Sequence, residues 1–290
     1  MNFNTVMTAI VSPFKENQLD LDSFKKLLNF QWDNGVTAIV INGTTGESPT
    51  LEWSEIEEQV RVTRELKPEM KIVLGVGGNA TDKVIQNLKK AESLNPDGIL
   101  SVVPYYNKPT QEGLKQHFSK IAQSTKLPIL LYNVPGRTIT SLAVETVVEL
   151  SKIENIVGIK EASGKPDLFE QYKDKTSDDF ALLSGDDGTY LESIFSGCTG
   201  VISVISHVIP KEFVSWTKQA KEGDRSCLQE FEKYMAFCDQ LFAEPNPVPV
   251  KESLKHMNIL ETAEVRLPLV ACTSGHSEIL KSELKKLGVL

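Results

Sequence analysis

No uninterrupted apolar run in this chain approaches the ~18 residues that a membrane-crossing helix needs. The amino-terminal Met1-Asn2-Phe3-Asn4-Thr5-Val6 also lacks the basic start and long apolar stretch of a secretory signal. Cysteine is scarce. Cys198, Cys227, Cys238 and Cys272 are scattered with no C-x-x-C pair, which fits reduced thiols in a cytoplasm better than a disulfide framework or a zinc site. Histidine is equally sparse: His117, His207, His256 and His276 include no H-E-x-x-H and no spacing that would hold zinc, so no metal is expected. Basic excess is missing too. With 31 Lys+Arg against 39 Asp+Glu spread along the chain, there is no electrostatic footprint for nucleic acid, and no membrane partner is implied.

What is present is regular alternation. Apolar β-rich runs occur at Val6 to Val11, Val36 to Ile41, Ile72 to Val76, Gly98 to Val103, Pro128 to Asn133, Ile156 to Lys160, Phe180 to Ser184 and Gly200 to Ile205. Amphipathic helical segments separate most of them, among them Leu21 to Trp32, Glu55 to Leu66, Asp82 to Ser93, Glu112 to Ser124, Ala143 to Ser151 and Asp167 to Lys175. Ser54 followed by Glu57 has the capping-box spacing, Thr110 offers a hydroxyl cap, and Gly35 suits the position just past a helix. Strands apolar throughout imply burial on both faces of a parallel sheet, and eight such units predict an α/β fold, a (β/α)8 TIM barrel. The 290 residues exceed an ordinary barrel, so the expected layout is a catalytic barrel over residues 1–224 and a C-terminal helical extension over 225–290.

Gly75-Val76-Gly77-Gly78-Asn79-Ala80 formally matches a dinucleotide fingerprint. Its acidic partner should end the next strand, whereas Asp97 precedes that strand, so the glycines are read as tight backbone and no nicotinamide cofactor is expected. Asp186-Asp187 at a strand end reads as a cap in preference to a cation site.

Polar residues concentrate after the strands, where barrel enzymes place their chemistry. Asn42-Gly43-Thr44-Thr45-Gly46-Glu47-Ser48, Pro104-Tyr105-Tyr106-Asn107 and Tyr132-Asn133-Val134-Pro135-Gly136-Arg137-Thr138 all have this placement. Threonines between glycines can offer hydroxyls and amides to a carboxylate, tyrosine can relay a proton, and arginine can clamp a second carboxylate. Each also has a structural reading as a turn, a rim residue or a surface pair. Lys160 ends an otherwise apolar strand. Desolvation disfavours an ammonium, and a neutral amine can attack a carbonyl to form a Schiff base; the alternative is a lysine whose head reaches water at the strand end.

Gly43-Thr44-Thr45-Gly46-Glu47, Tyr132-Asn133-Val134-Pro135-Gly136-Arg137-Thr138 and Gly158-Ile159-Lys160-Glu161-Ala162-Ser163 resemble, in order and spacing, the pyruvate-dependent class I aldolase superfamily that includes N-acetylneuraminate lyase and is typified by dihydrodipicolinate synthase. The resemblance spans nearly the whole chain and includes Ser184-Gly185-Asp186-Asp187, Gly200-Val201-Ile202-Ser203 and Glu244-Pro245-Asn246-Pro247. It implies a lyase that condenses pyruvate with L-aspartate 4-semialdehyde in the diaminopimelate and lysine pathway, with no cofactor beyond the covalent Schiff base on Lys160. By the same resemblance Tyr132, Thr44 and Tyr106 form a proton relay, Thr45, Gly185 and Ile202 hold pyruvate, and Arg137 receives the carboxylate of the second substrate. Family assemblies imply a homotetramer, a dimer of dimers, in which the residue matching Tyr106 enters a neighbouring subunit's site.

Lysine-inhibited relatives bind the amino acid through positions matching Ser48, Pro49, Trp53, Ile56, Asn79, Lys83 and Tyr105. There the matches of Trp53 and Ile56 tend to be histidine and that of Lys83 a glutamate that pairs with the ligand's amine. Lys83 has the opposite sign, so a degenerate regulatory site and little feedback inhibition are expected. Many members have asparagine at the position of His207. Two other readings stay open: a pyruvate-dependent aldolase acting on N-acetylneuraminate, 2-keto-3-deoxygluconate or 4-hydroxy-2-oxoglutarate, and a non-catalytic ligand-binding barrel. The retention of Lys160, Tyr132, Tyr106 and Thr44 weighs against the last.

Overall fold

A strand with apolar side chains on both faces is stable only where it is covered on both. In the computed structural model of this protein, which describes residues 3–290, eight such strands close into a barrel; Met1 and Asn2, with which the reading of the amino terminus begins, lie outside the described residues. The strands are β1 (Val6–Ala9), β2 (Ala38–Ile41), β3 (Lys71–Gly75), β4 (Gly98–Val102), β5 (Ile129–Asn133), β6 (Ile156–Glu161), β7 (Ala181–Ser184) and β8 (Gly200–Ser203), in the order β1-β8-β7-β6-β5-β4-β3-β2. This is the predicted TIM barrel with helices between its strands and further helices at the C terminus.

The chain gathers into two compact units. In the first, residues 3–5 and 71–202, parallel ladders run from β3 through β7, with Leu131 opposite Ile159 and Ile159 opposite Leu182. Helices Thr81–Ser93, Gln111–Gln123, Val144–Leu150 and Asp167–Lys173 bury apolar stripes such as Leu114, Phe118 and Ile121. The Thr110 hydroxyl accepts from Gly113 N at 3.2 Å, the cap expected there. Gly77 needs to be glycine, because a Cβ would lie 2.6 Å from the Val102 nitrogen; the formal dinucleotide motif is a close backbone crossing. Asp186 caps the next turn, accepting from Thr189 N at 3.0 Å and its hydroxyl at 2.8 Å.

In the second unit, residues 6–70 and 203–290, β1 pairs with β2 with Thr8 opposite Ile39. A short hairpin, Phe14–Lys15 against Gln18–Leu19, precedes helix Leu21–Asp33; it was not anticipated, because two-residue strands carry no periodic signal. Gly35 follows that helix at φ 91°, as its placement predicted. The helix Trp53–Leu66 corrects the expectation at Ser54. Its cap is Glu52, whose nitrogen donates to the Glu55 carboxylate at 2.9 Å, while Ser54 already lies in the first turn. The capping box is the same device shifted by two residues, with a carboxylate in the place of the hydroxyl. Helix Pro210–Lys221 is followed by Ser226–Glu232, Met235–Gln240, Val248–His256 and Ser274–Lys286. Among the described residues no helix is long and apolar enough to cross a membrane, and no group of three or more metal-ligating side chains is assembled.

Candidate active site

Lys160 is the penultimate residue of β6 and only 7% exposed, although it bears an amine. The parallel register sets it beside Tyr132 on β5, and its Nζ lies 4.3 Å from the centre of the Tyr132 ring. Adjacent strands whose side chains share a face make such a pair unavoidable once the register is set. On the other side of Lys160 stands Gly185, directly after β7. A Cβ on Gly185 would lie 2.6 Å from Lys160 Cε and 2.8 Å from the Ala162 side chain, so any larger residue would displace the amine. Gly185 N donates to Glu161 O at 2.8 Å and holds that approach. Ile202, also expected at the site, is buried in β8.

The residue after Lys160 faces the other way, and sequence reasoning assigned it no role. Glu161 is 2% exposed; its Oε2 accepts from Asn133 Nδ2 at 2.8 Å and from the Tyr172 hydroxyl at 2.9 Å, and its Oε1 accepts from Ser163 N at 3.0 Å. Burial, reinforced by the Glu161 charge, pushes the Tyr172 phenol well above its ordinary range and keeps it a donor. Asn133 in turn accepts from Leu142 N at 3.0 Å, closing the segment that carries Arg137. The available signal was an acid inside an apolar strand, next to the candidate nucleophile.

Arg137 lies in the helical turn Pro135–Thr138 and is exposed. The turn is well determined: Arg137 N donates to Val134 O at 2.9 Å, and the buried Thr138 hydroxyl bridges Val134 O and Thr140 O at 3.0 and 2.8 Å. The guanidinium is thus an exposed cation on a fixed base, suited to a mobile carboxylate. Tyr106 is placed differently. It is 88% exposed with φ 74°, in a loop anchored by Asn107 Nδ2 donating to Asn79 O at 2.7 Å, so it points away from the packed interior of its own chain.

In the second unit, Thr44 and Thr45 follow β2 in a turn closed by Glu47 N donating to Thr44 O at 3.0 Å. Thr45 is buried, and its hydroxyl oxygen accepts from Asn246 Nδ2 at 2.9 Å. An accepting hydroxyl still has its proton to give, so Thr45 is set up as a donor to an anion. Ser12 supports the turn from below, donating to Gly46 O at 2.8 Å. Among the residues expected for regulation, Ser48 and Pro49 form a short helical turn before Trp53 and the buried Ile56. In the first unit Asn79 is tied to the Tyr105-Tyr106 loop through Asn107, and Lys83 is exposed.

Known proteins resemble this chain over nearly its whole length. The model of the Dihydrodipicolinate synthetase family matches residues 2–287. A curated relative from Bdellovibrio bacteriovorus, 4-hydroxy-tetrahydrodipicolinate synthase, is 47% identical over 291 residues, covering 100% of this chain and 99% of its own. The crystal structure of a dihydrodipicolinate synthase from Thermotoga maritima superposes with a TM-score of 0.95 at 40% identity and 98% coverage of both chains. A monomeric dihydrodipicolinate synthase variant also reaches a TM-score of 0.95 at 40% identity, covering 98% of this chain and 97% of its own.

Proposed function

This chain belongs to the dihydrodipicolinate synthetase family and is an enzyme of the lyase class, and from that premise we propose that it condenses pyruvate with L-aspartate 4-semialdehyde to give 4-hydroxy-tetrahydrodipicolinate. The observation that carries this reading is a buried amine, Lys160, set beside the Tyr132 ring with the space of Gly185 behind it.

Lys160 Nζ attacks the ketone carbon of pyruvate, and loss of water leaves an iminium. Tyr132 serves as the general acid and base for that step, passing protons through Thr44 and Tyr106. The Thr45 hydroxyl and nearby amides hold the pyruvate carboxylate, and Gly185 and Ile202 border the ketoacid. The iminium draws electrons from the methyl group, which loses a proton to become the carbon of an enamine. That carbon attacks the aldehyde of the second substrate, whose oxygen takes up a proton. Arg137 orients this substrate through a bidentate contact with its carboxylate. The substrate's own amine then displaces Lys160 from the imine, closing the ring and restoring the free lysine. The electron sink is the iminium itself, so the chemistry calls for no metal or organic cofactor.

The exposure of Tyr106 supports a homotetramer, a dimer of dimers, in which this residue completes the relay of a neighbouring subunit. The cytoplasm and the diaminopimelate and lysine pathway belong to the same reading. So does weak feedback by lysine, since Lys83 sets a positive charge where an amine would need a negative partner. The direct test is product formation from the two substrates, coupled to a downstream NADPH-dependent reductase, with Lys160→Ala as control. Turnover lost in the control supports the reading; an inactive but folded parent refutes the substrate pair.

A further inference from the structure

Glu47 and Lys251 have no part in the chemistry above, yet they are the most deeply buried ion pair in the second unit, with side chains 1% and 0% exposed. Lys251, in helix Val248–His256, donates from Nζ to Glu47 Oε1 and, at 2.8 Å, to Glu264 O, and the ammonium lies 4.2 Å from the centre of the Phe14 ring. The other carboxylate oxygen of Glu47 accepts from Arg266 N at 2.9 Å. Both of these donors to the Glu47 carboxylate come from the C-terminal region.

Arg266 extends the grip. Its guanidinium lies 4.1 Å from the centre of the Phe14 ring, forks onto the Glu55 carboxylate at 2.7 and 2.5 Å and donates to Thr50 O at 2.9 Å. With Asn246 on Thr45, the C-terminal region holds the segment after β2 at Thr45, Glu47, Thr50 and Glu55.

The backbone shows what is being held. Glu47 has φ 58° and ψ 39°, left-handed values that cost an L-residue a clash between Cβ and its carbonyl. Its nitrogen closes the turn onto Thr44 O, so the conformation at Glu47 sets how Thr44 and Thr45 are presented. A strained residue persists only where its surroundings over-determine it, and a carboxylate fastened at both oxygens does so. Nor is the pair well suited to stabilise the fold as such. Burial pushes the Lys251 amine down to about 8 against the pull of Glu47, and buried ion pairs often yield little net stability after desolvation.

We infer that Lys251 and Glu47 are positioning residues, a buried strut through which the C-terminal extension locks the Thr44–Glu47 turn in the shape that offers the Thr45 hydroxyl to the pyruvate carboxylate. The inference rests on the function proposed for that turn and adds residues that do not touch substrate.

The test is borohydride trapping of the pyruvate adduct across a pyruvate titration, read by intact-protein mass, for the full-length parent, Lys251→Met and the double variant Glu47→Gln/Lys251→Met. The double variant leaves no buried unpaired charge, so its melting temperature is expected to return toward that of the parent. Half-saturating pyruvate is expected to rise roughly tenfold or more in both variants. The maximal trapped fraction stays high because Lys160 is untouched, and the KM for aspartate semialdehyde does not change. Should Lys251→Met be insoluble, the double variant alone decides. A folded double variant with the parent's half-saturation overturns the inference, as does an equal rise for both substrates. A parent that traps no pyruvate at all overturns the functional reading instead, so the two failures are distinguishable.

Discussion

Tyr132 lies directly opposite Lys160 across the β5–β6 ladder, with its ring centre 4.3 Å from the lysine amine. The ring thus packs the amine while its hydroxyl is the proposed proton carrier, and these contributions can be separated. Tyr132→Phe keeps the ring and removes the hydroxyl. Its kcat is expected to fall about 10²- to 10³-fold with melting unchanged, and borohydride is expected still to trap the pyruvate adduct, more slowly.

Arg137→Ala is expected to act on the other substrate. An exposed guanidinium on a rigid turn contributes little to the fold, so denaturant midpoints are expected to match the parent. Loss of a charge-assisted contact of about 1.5–3 kcal/mol corresponds to a KM for aspartate semialdehyde roughly 10- to 100-fold higher. Pyruvate trapping is expected to be unaffected, and steady-state kinetics with each substrate varied in turn would check the split.

Glu161→Gln tests the buried carboxylate behind the nucleophile. Glutamine can accept from Asn133 and Tyr172 with its one oxygen, but its amide then faces the Ser163 N–H, donor against donor. A loss of about 1–3 kcal/mol in urea unfolding is expected. Because Asn133 also holds Leu142, the KM for aspartate semialdehyde is expected to rise more than that for pyruvate.

Acid stability should depend on His207. This fully buried ring accepts from Val11 N at 3.1 Å and bonds Val204 O at 2.8 Å, and burial pushes its pKa down from 6.5 to about 4. The unfolded chain binds a proton below about 6.5 and the folded one only below about 4, so stability is full above the higher value and declines as pH falls between them. His207 accounts for a loss of about 3 kcal/mol at most. His207→Asn, which can keep an acceptor and a donor, is expected to flatten that acid limb in urea titrations at pH 4.5 and 7.

Lysine at millimolar concentration is expected to leave activity essentially unchanged, because in the proposed degenerate regulatory site Lys83 would repel the ligand's amines. Inhibition curves run to saturation would check this; half-inhibition below 1 mM would be the contrary result.

The eight strands, most helices and the candidate Lys160 are legible in the chain because they are written locally, in runs of apolar residues and in one amine at the end of such a run. It carried the turns at Thr44 and Arg137 too, as short motifs. The cap at Glu52 was misplaced because two overlapping spacings compete within the same few residues, and the helix start decides between them. The remaining features arise on folding. Glu47 and Lys251 stand 204 positions apart, and each alone is an ordinary charged residue; their pairing exists only when helix Val248–His256 packs against the turn and removes both from water. Tyr132 meets Lys160 through the register of two strands, and Glu161 acquires three donors through the segments on either side of it. Propensity and patterning act over a few residues, whereas register, burial and hydrogen-bond partnership belong to the assembled chain, and the chemistry of this site depends on the latter.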